Sequence, residues 1–350
     1  MRRPASTDGD SGPALVVPQT SFLGDVVLTT PLLSALRQCL RPRRLAVIVR
    51  PEARALVEGH PDVDDVLIDD KHGADHGAVG ALRVAGRLRR ERFDLAVVPH
   101  RSLRTALVLA AARIPRRIGF DTSRGAWWFH ERVHRDPARH DVERNLALMA
   151  PFGGWSEPPR LHVPVAPAAA ERAHTLEPPG DGPLVVMAPG SVWPTKRWTA
   201  EGFAAVAQAL VRDGARVLLA GGPGDVEVAD RVAGLAGPGV VSLAGRTDLA
   251  TSIAIIDRAA VLVGNDSAPM HVACARGVPV VAVFCATTPA LGYGPWGPRT
   301  RVVDVDLACR PCGRHGGRRC PRGTEDCMRL VEPARVLEAV RAVWRTDVAA

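Results

Sequence analysis

The stretch AVLVGNDSAPMHVACARGVPVVAVF, residues 260–284, decides the fold of this chain. Its first apolar run is followed by Asp266, which we predict to cap a helix, and by Pro269, which suits a first helical turn. We predict that the helix ends at Arg276, because glycine at position 277 commonly terminates helices, and a second apolar run follows at once. Strand, helix and strand in this order predict two parallel strands joined by a right-handed crossover.

The same alternation extends in both directions and divides the chain into two α/β halves. Further strand-like runs are ALVV (14–17), LAVIV (45–49), DVLI (65–68), DLAVV (94–98), LVVMAP (184–189), RVLLAG (216–221), VVSLAG (240–245) and RVVDV (301–305). Predicted helices of the first half include SALRQCL (34–40), ARALVEGH (53–60) and AVGALRVAGRLRRER (78–92). The pattern predicts an α/β fold with two Rossmann-like, doubly wound domains that face each other across a cleft. Ligands of such sheets bind at the carboxyl ends of the strands.

A stretch rich in Pro, Gly and Ala separates the two halves and is typical of a linker. We predict a disordered leader over residues 1–13, a first domain over 14–165, a linker over 166–183, a second domain over 184–335, and a C-terminal helix and tail over 336–350. The opening MRRPASTDGDSGP has no apolar segment after its arginines, so we expect no secretory signal.

Composition and charge exclude several classes of protein. The 350 residues are 46% hydrophobic and 23% charged, which argues against a wholly disordered chain. No apolar run approaches the ~18 residues of a membrane-spanning helix. The net charge of +8 is spread along the chain and forms no basic tail, which disfavours a nucleic-acid binder. The charge suits an anionic partner such as a phosphorylated lipid head group, although a biased surface composition explains it equally well.

Motif searches narrow the chemistry further. The chain has no G-x-x-x-x-G-K-[ST], no G-x-G-x-x-G after its first strand, no H-E-x-x-H and no G-x-S-x-G. A P-loop nucleotidase or a simple dinucleotide enzyme therefore loses support.

The seven cysteines are an odd number, which fits a reducing cytosol better than a disulfide framework. Four of them are clustered, at Cys309, Cys312, Cys320 and Cys327. The C-x2-C pair resembles a structural zinc site, but the spacings of the other two cysteines are not those of a common zinc finger. The four cysteines could therefore form either a structural zinc site or a set of reduced thiols.

The loop APGSVWPTKRW (188–198) joins a predicted strand to a helix and suits an anionic ligand. Gly190 and Ser191 bring backbone amides and a hydroxyl close to an anion, and Lys196 supplies a point charge suited to a diphosphate. Only two of the 45 basic residues are lysine, which makes a lysine here informative. The alternative is a polar loop whose tryptophans merely pack.

The helix after Asp266 projects its free N–H groups at a strand end, where they favour a phosphate. Asp266 is either a plain cap or, because a second negative charge beside a pyrophosphate is unfavourable, a partner of Lys196 or of a sugar hydroxyl. His271 lies in the first helical turn and is more often structural than catalytic in such a place.

Two further acids follow strand ends. Asp25 comes after the first strand, where we predict either a general base facing the cleft or a cap of a short helical turn. Thr30 and Pro31 resemble the cap and first residue of the next helix. Glu227 follows a Gly-rich loop and suits either the hydroxyls of a ribose or the dipole of its own helix.

Together these stretches resemble the ADP-heptose:lipopolysaccharide heptosyltransferases. The resemblance rests on LGDVVLTTPLL (23–33), RRIGFDTSRGAWWFHERV (116–133), HDVERNLALMAPFG (140–153), APGSVWPTKRW (188–198), GNDSAPMHVACARGVPVVAVF (264–284) and TTPALGYGPWGP (287–298). It covers nearly the whole chain, from Ala14 to about Trp344, and spacing and the Cys-rich end resemble the heptosyltransferase II branch most.

The resemblance implies a GT-B fold, with the acceptor bound mainly by the first domain and the nucleotide sugar by the second. It implies an inverting, metal-independent transfer of L-glycero-D-manno-heptose from ADP-heptose to the inner core of lipopolysaccharide, without a cofactor. It also implies a monomeric cytoplasmic enzyme in peripheral contact with the inner membrane. The alternatives are a GT-B relative with another nucleotide-sugar donor, and a non-catalytic nucleotide-sugar-binding protein.

The resemblance also implies roles for individual residues. Asp25 matches the general base and Lys196 the lysine on the donor phosphates. The remaining matches to the donor site are Ser191, Thr195, Glu227, Asp266, Ser267, Ala268 and His271. Many family members have glycine where this chain has Ala268, and alanine keeps the backbone N–H available unless a positive φ is required there.

An aromatic run and several arginines complete the candidates. We predict that Trp127, Trp128 and Phe129 pack in the core, with contact to lipid or to the acceptor sugar as the alternative. We expect Arg116, Arg117, Arg124 and Arg144 to be solvated, with acceptor phosphates as the alternative.

Overall fold

A computed structural model describes residues 12–155 and 157–345, so most of the predicted leader, residues 1–11, and the end of the predicted tail lie outside the described residues. The chain forms two compact units. Unit 1 holds the described residues up to Asp136 and from Asp141 to Arg160, and unit 2 holds Pro137–His140 and the residues from Leu161 onward.

Unit 1 contains one six-stranded parallel sheet. Its strands are β1 (Ala14–Pro18), β2 (Arg44–Val49), β3 (Asp65–Ile68), β4 (Leu95–Val98), β5 (Arg116–Phe120) and β6 (Glu131–Val133). Its helices are α1 (Leu23–Leu40), α2 (Gly77–Glu91), α3 (Leu103–Ala111) and α4 (Asp141–Leu146). The strand order is β3-β2-β1-β4-β5-β6, and every neighbouring pair is parallel.

Unit 2 repeats this plan. Its strands are β7 (Leu184–Ala188), β8 (Arg216–Leu219), β9 (Val240–Ser242), β10 (Val261–Asn265), β11 (Val280–Val283) and β12 (Thr300–Val303). Its helices are α5 (Pro167–Leu176), α6 (Ala200–Arg212), α7 (Val226–Ala236), α8 (Leu249–Asp257), α9 (Ala268–Ala275), α10 (Asp326–Arg329) and α11 (Pro333–Arg345). The order β9-β8-β7-β10-β11-β12 is the order of unit 1 with six added to each strand number.

Both sheets reverse their strand order beside the first strand of the unit. The chain winds one way from β1 and, after β3, returns to the other side at β4; β7 and β10 are related in the same way. Loops that follow these two central strands diverge and leave room for a ligand at the carboxyl edge. The candidate residues after β1, β7 and β10 therefore lie at the switch points of the two sheets.

Buried apolar strands hold each unit together. All five residues of β1, β7 and β10 are buried, as expected for parallel strands covered by helices on both faces. The core of unit 2 includes Trp198, which is fully buried and whose indole N–H donates to the carbonyl of Val331.

The structure corrects four local predictions. Arg144, which we expected to be solvated, is buried and donates to the carbonyl of Asp136 at 3.1 Å. The stretch 53–60 forms a 3-10 helix over Pro51–Leu56 rather than an α-helix. Thr30 and Pro31 lie inside α1 and open no new helix. Trp127 and Trp128 are exposed, whereas Phe129 is buried as predicted.

Among the described residues, no helix combines the length and the apolar character that crossing a bilayer requires.

Candidate active site

The switch point of unit 2 brings Lys196 and Asp266 together. Lys196 ends a 3-10 turn after β7, and Asp266 is the first residue after β10. The Lys196 ammonium lies 2.7 Å from Asp266 Oδ2, and the two side chains are only 13% and 5% exposed. The hydroxyl of Thr287 also donates to Asp266 Oδ2, at 2.7 Å. Asp266 therefore acts as the counter-ion of Lys196, which sequence analysis gave as an alternative to capping.

The start of α9 stays open because Asp266 is turned toward the lysine. Ser267 is the residue that precedes the helix, and its hydroxyl donates to the carbonyl of Asn265 instead of capping the helix. Ala268 is the first helical residue and is not among the residues with positive φ, so alanine in place of glycine costs no backbone strain. The backbone N–H groups of Ser267 and Ala268 thus lie directly after Asp266 and favour an anion, whereas Pro269 has no N–H and the Met270 N–H donates to the Ser267 carbonyl.

His271 is buried in the same place. Burial is the main cause that lowers the pKa of His271 to about 4, and the nearby His140 and Lys196 also lower it while Asp266 opposes them. The ring is therefore neutral at physiological pH. Within the described residues its Nδ1 has no hydrogen-bond partner, so the ring offers one nitrogen to a bound molecule.

Asn265 ties the two loops of this switch point together and was missed by sequence analysis. Its side-chain oxygen accepts a hydrogen bond from the backbone N–H of Trp198 at 2.9 Å, and its amide nitrogen donates to the carbonyl of Pro189 at 2.8 Å. A buried asparagine at the end of a strand was the available signal, because such a side chain needs partners from other segments.

The Cys-rich segment also forms part of this site, which sequence analysis did not foresee. Gly317 exchanges hydrogen bonds with Thr195: its N–H donates to Thr195 Oγ1 at 2.7 Å, and its carbonyl accepts the Thr195 N–H at 3.2 Å. Gly316 has φ +73°, and a Cβ there would lie 2.9 Å from Thr195 Oγ1 and 3.2 Å from Lys196 Cγ. His315 is close enough that Lys196 contributes, after burial, to lowering its pKa. The sequence signal for this contact is the pair Gly316-Gly317, because a backbone without side chains can approach another segment this closely.

The four clustered cysteines are free thiols in this structure. Within the described ranges, no group of three or more His, Cys, Asp or Glu side chains is arranged to hold a metal ion. Four backbone N–H groups, those of residues 322–325, point at Cys320 and lower its thiol pKa.

Ser191 and Glu227 are placed differently from each other. Ser191 is buried, and its carbonyl accepts the Arg197 Nε–H at 2.8 Å. Glu227 is exposed on the first turn of α7. Asp225, two residues earlier, is the acid that lies against the loop after β7, because a Cβ on Gly190 would lie 2.1 Å from its carboxyl carbon.

Asp25 lies at the switch point of unit 1, in the first turn of α1. Its Oδ2 accepts the Phe22 N–H at 3.2 Å, so it does cap the helix, and the side chain is only partly buried. The loop before it is fixed from three sides. Gln19 donates to Thr29 Oγ1, Lys71 donates to the Thr20 carbonyl at 2.6 Å, and His100 bonds the Pro18 carbonyl.

Cations and one acid gather beside this loop and were not singled out from the sequence. Burial lowers the pKa of Lys71, and the nearby charges of Arg50 and Arg104 lower it further. Arg104 is paired with Asp69, whose other carboxylate oxygen has no partner within the described residues. This edge of unit 1 can therefore bind both an anionic group and a hydroxyl of a substrate.

The sequence of this chain matches the pattern of one protein family. Residues 81–319 match the pattern of glycosyltransferase family 9 (heptosyltransferase). The chain is 28% identical over 286 residues to lipopolysaccharide heptosyltransferase 3 of Escherichia coli, covering 79% of this chain and 84% of that protein. It is 27% identical over 344 residues to lipopolysaccharide heptosyltransferase 2 of E. coli K12, covering 92% and 96%.

Solved structures show the same architecture. A glycosyl transferase family 9 protein from Veillonella parvula superposes with a TM-score of 0.86 at 24% identity, over 95% of this chain and 98% of that one. ADP-heptose LPS heptosyltransferase II of E. coli superposes with a TM-score of 0.80 at 23% identity, over 95% and 99%. These likenesses confirm the predicted α/β fold of GT-B type with two doubly wound domains.

Proposed function

The chain belongs to glycosyltransferase family 9, the heptosyltransferase family, and on that premise we propose that it transfers L-glycero-D-manno-heptose from ADP-heptose to the inner core of lipopolysaccharide. The observation that carries the proposal is the buried Lys196–Asp266 pair at the open start of α9. A single lysine and free backbone N–H groups at a switch point suit the diphosphate of a nucleotide sugar.

The donor half of the reaction is the departure of ADP. As the bond between the anomeric carbon and the phosphate oxygen breaks, negative charge grows on the diphosphate. We assign the stabilisation of that charge to Lys196 and to the backbone N–H groups of Ser267 and Ala268. The neutral His271 ring, with its open Nδ1, suits a hydroxyl of the sugar or of a phosphate.

The acceptor half is the attack of a sugar hydroxyl on the anomeric carbon. We assign Asp25 as the base that takes the hydroxyl proton as the new C–O bond forms. One displacement requires one base and inverts the anomeric centre, so no covalent enzyme intermediate is needed.

We further propose that the acceptor carries one heptose and that this enzyme adds the second. The resemblance to the heptosyltransferase II branch and the 92% coverage by the E. coli heptosyltransferase 2 alignment support this choice, while the similarity to heptosyltransferase 3 makes addition of a third heptose the alternative. Because the acceptor is lipid-linked, we expect the protein to act at the cytoplasmic face of the inner membrane. We also propose that it acts there as a monomer.

The proposal is tested by incubating the purified chain with ADP-heptose and inner-core acceptors that carry no, one or two heptoses. We expect a product only from the acceptor with one heptose, with the anomeric configuration inverted relative to the donor. Transfer to another acceptor of the series would move the enzyme to a different step. Efficient transfer from another nucleotide sugar in a donor panel, or tight ADP-heptose binding without any product, would refute the proposed reaction.

A further inference from the structure

Unit 1 exposes an apolar surface that its fold does not need. We name as the tryptophan patch the residues Leu103, Leu107, Ala111, Trp127 and Trp128. Trp127 is 84% exposed and Trp128 46%, and the two leucines are 44% and 41% exposed. Large apolar side chains are scattered singly on most protein surfaces, whereas these five lie on two segments that pack against each other at Gly125.

The patch is continuous because a 3-10 turn packs on α3. Residues 103, 107 and 111 are spaced by four, so they form one stripe along the exposed side of the helix. Gly125 lies against the start of that stripe: a Cβ on it would be 2.3 Å from Ala106 Cβ and 3.4 Å from Leu103 Cα. The turn Ala126–Trp128 follows directly and adds the two indoles at this end.

Arginines surround the patch. Residues 101–135 contain eight arginines and only two acids, Asp121 and Glu131. Both acids are already paired, Glu131 with Arg116 at 2.6 Å and Asp121 with His134 at 2.9 Å. The Arg132 guanidinium lies 5.5 Å from the centre of the Trp127 ring. Arg104, Arg116 and Arg135 are neutralised by Asp69, Glu131 and Asp141. The exposed Arg113, Arg124 and Arg132 keep this side of unit 1 positive.

We propose that the tryptophan patch docks the protein on a membrane surface of anionic phospholipids. Tryptophan prefers the boundary between head groups and acyl chains, and neighbouring arginines are attracted to anionic head groups. A second copy of this chain is the less suitable occupant, because a symmetric contact would bring two arginine rims together. The biological meaning of the docking, access to a lipid-linked acceptor, rests on the proposed function.

The docking itself is measured without donor or acceptor, so it stands or fails separately from the proposed reaction. The full chain is centrifuged with phosphatidylcholine vesicles that contain or lack phosphatidylglycerol. We expect binding to the anionic vesicles that weakens with added salt. Trp127→Ala combined with Trp128→Ala should weaken it by at least about tenfold, because two interfacial anchors are lost.

Charge variants separate the contribution of the arginines to membrane binding from the contribution of the tryptophans. Arg124→Gln and Arg132→Gln should each weaken binding to anionic vesicles about fivefold at low salt and leave the weak binding to neutral vesicles unchanged. The matched controls are Leu235→Ala and Arg246→Gln, exposed residues of unit 2 whose loss should change nothing.

A wild-type chain that stays in the supernatant, or tryptophan variants that sediment like the wild type, would overturn the proposal. So would a light-scattering result in which the wild type is a dimer and the tryptophan variants are monomers, since a second copy would then cover the patch. If docking holds, the tryptophan variants should also lose transfer to a vesicle-embedded acceptor while keeping it with a delipidated one.

Discussion

At the scale of single residues, the ion pair between Lys196 and Asp266 is the central feature of unit 2. Both side chains are largely buried, and removing one charge from such a pair leaves the other uncompensated. The pair also keeps the lysine in place without a ligand, so a diphosphate would find the charge already positioned. Asp266 accepts a second hydrogen bond from Thr287, which fixes its own orientation.

Lys196→Met together with Asp266→Asn tests the phosphate role without leaving a buried charge. We expect ADP affinity to fall by about tenfold to a hundredfold, because one charged hydrogen-bond donor is lost, and turnover to fall with it. Calorimetric titration with ADP measures this. Asp266→Asn alone is the control and should keep ADP binding, since it leaves Lys196 charged. Unchanged ADP affinity in the double variant would exclude a phosphate contact.

Asp25→Asn tests the base. Asparagine still accepts the Phe22 N–H, so α1 keeps its cap and the thermal midpoint should stay near that of the wild type. Turnover should fall by about 10²-fold or more, with ADP-heptose binding intact, because the amide cannot take up a proton. Near-normal turnover of the variant would assign Asp25 to helix capping alone.

Two buried histidines make stability depend on pH. Burial lowers the pKa of His100 and of His271 to about 4, whereas an unfolded histidine titrates near 6.5. Between these values the unfolded chain binds more protons, so stability must fall as the pH decreases from about 6.5 toward 4. Each histidine contributes up to about 3 kcal/mol to this loss.

Urea titrations at about pH 7 and about pH 5 measure the effect. His100→Gln should flatten the decline relative to the wild type, because glutamine does not titrate. A decline of the same size in the variant would mean that other groups cause it.

At the scale of elements, α1 shows how a helix accommodates an internal proline. Pro31 has no N–H to donate to the carbonyl of Val27, four residues earlier. The hydroxyl of the preceding residue, Thr30, donates to that carbonyl instead, at 2.8 Å. This substitution explains why a Thr-Pro pair typical of a helix start lies inside one long helix.

A double-mutant cycle tests this account. Thr30→Val is close in shape and should destabilise the protein by about 1 kcal/mol, because the Val27 carbonyl loses its donor. With Pro31→Ala in place, the restored backbone N–H should reduce the cost of Thr30→Val well below that value. Denaturant unfolding gives both free energies of unfolding. Equal costs in the two backgrounds would show that the hydroxyl does not replace the missing bond.

At the scale of the whole molecule, two units share one strand order and put candidate residues at equivalent switch points. Asp25 follows the first strand of unit 1, and Lys196 follows the first strand of unit 2. We propose that the acceptor binds at the switch point of unit 1 and the donor at the switch point of unit 2.

Hydrogen exchange with and without ADP tests that division. ADP should protect the amides of residues 189–196 and 265–270, and those of 315–317, because these segments surround Lys196. Residues 19–25 of unit 1 should exchange as before. Protection confined to unit 1 would place the nucleotide in the wrong unit and reverse the proposed roles.

The alternation of apolar runs and helical spacing already determined the fold class and all but two of the strands. Such patterns are local: buried parallel strands are apolar throughout, and Gly277 ends α9 as predicted. β5 and β6 were missed because Arg116, Arg117 and Arg132 interrupt their apolar character. The candidate loops were found for the same local reason, since they follow strands and contain small and charged residues.

Only the tertiary structure decided which of these residues meet. Asp266 pairs with Lys196, 70 positions away, because β7 and β10 are neighbours in the sheet, and no local pattern encodes that order. Gly317 reaches Thr195 across an even longer separation. Trp127 and Trp128 read as core residues by composition, yet they are exposed because the turn that carries them packs on α3 through Gly125 and leaves the indoles outside. Burial is a property of the packed molecule, and hydrophobicity alone does not fix it.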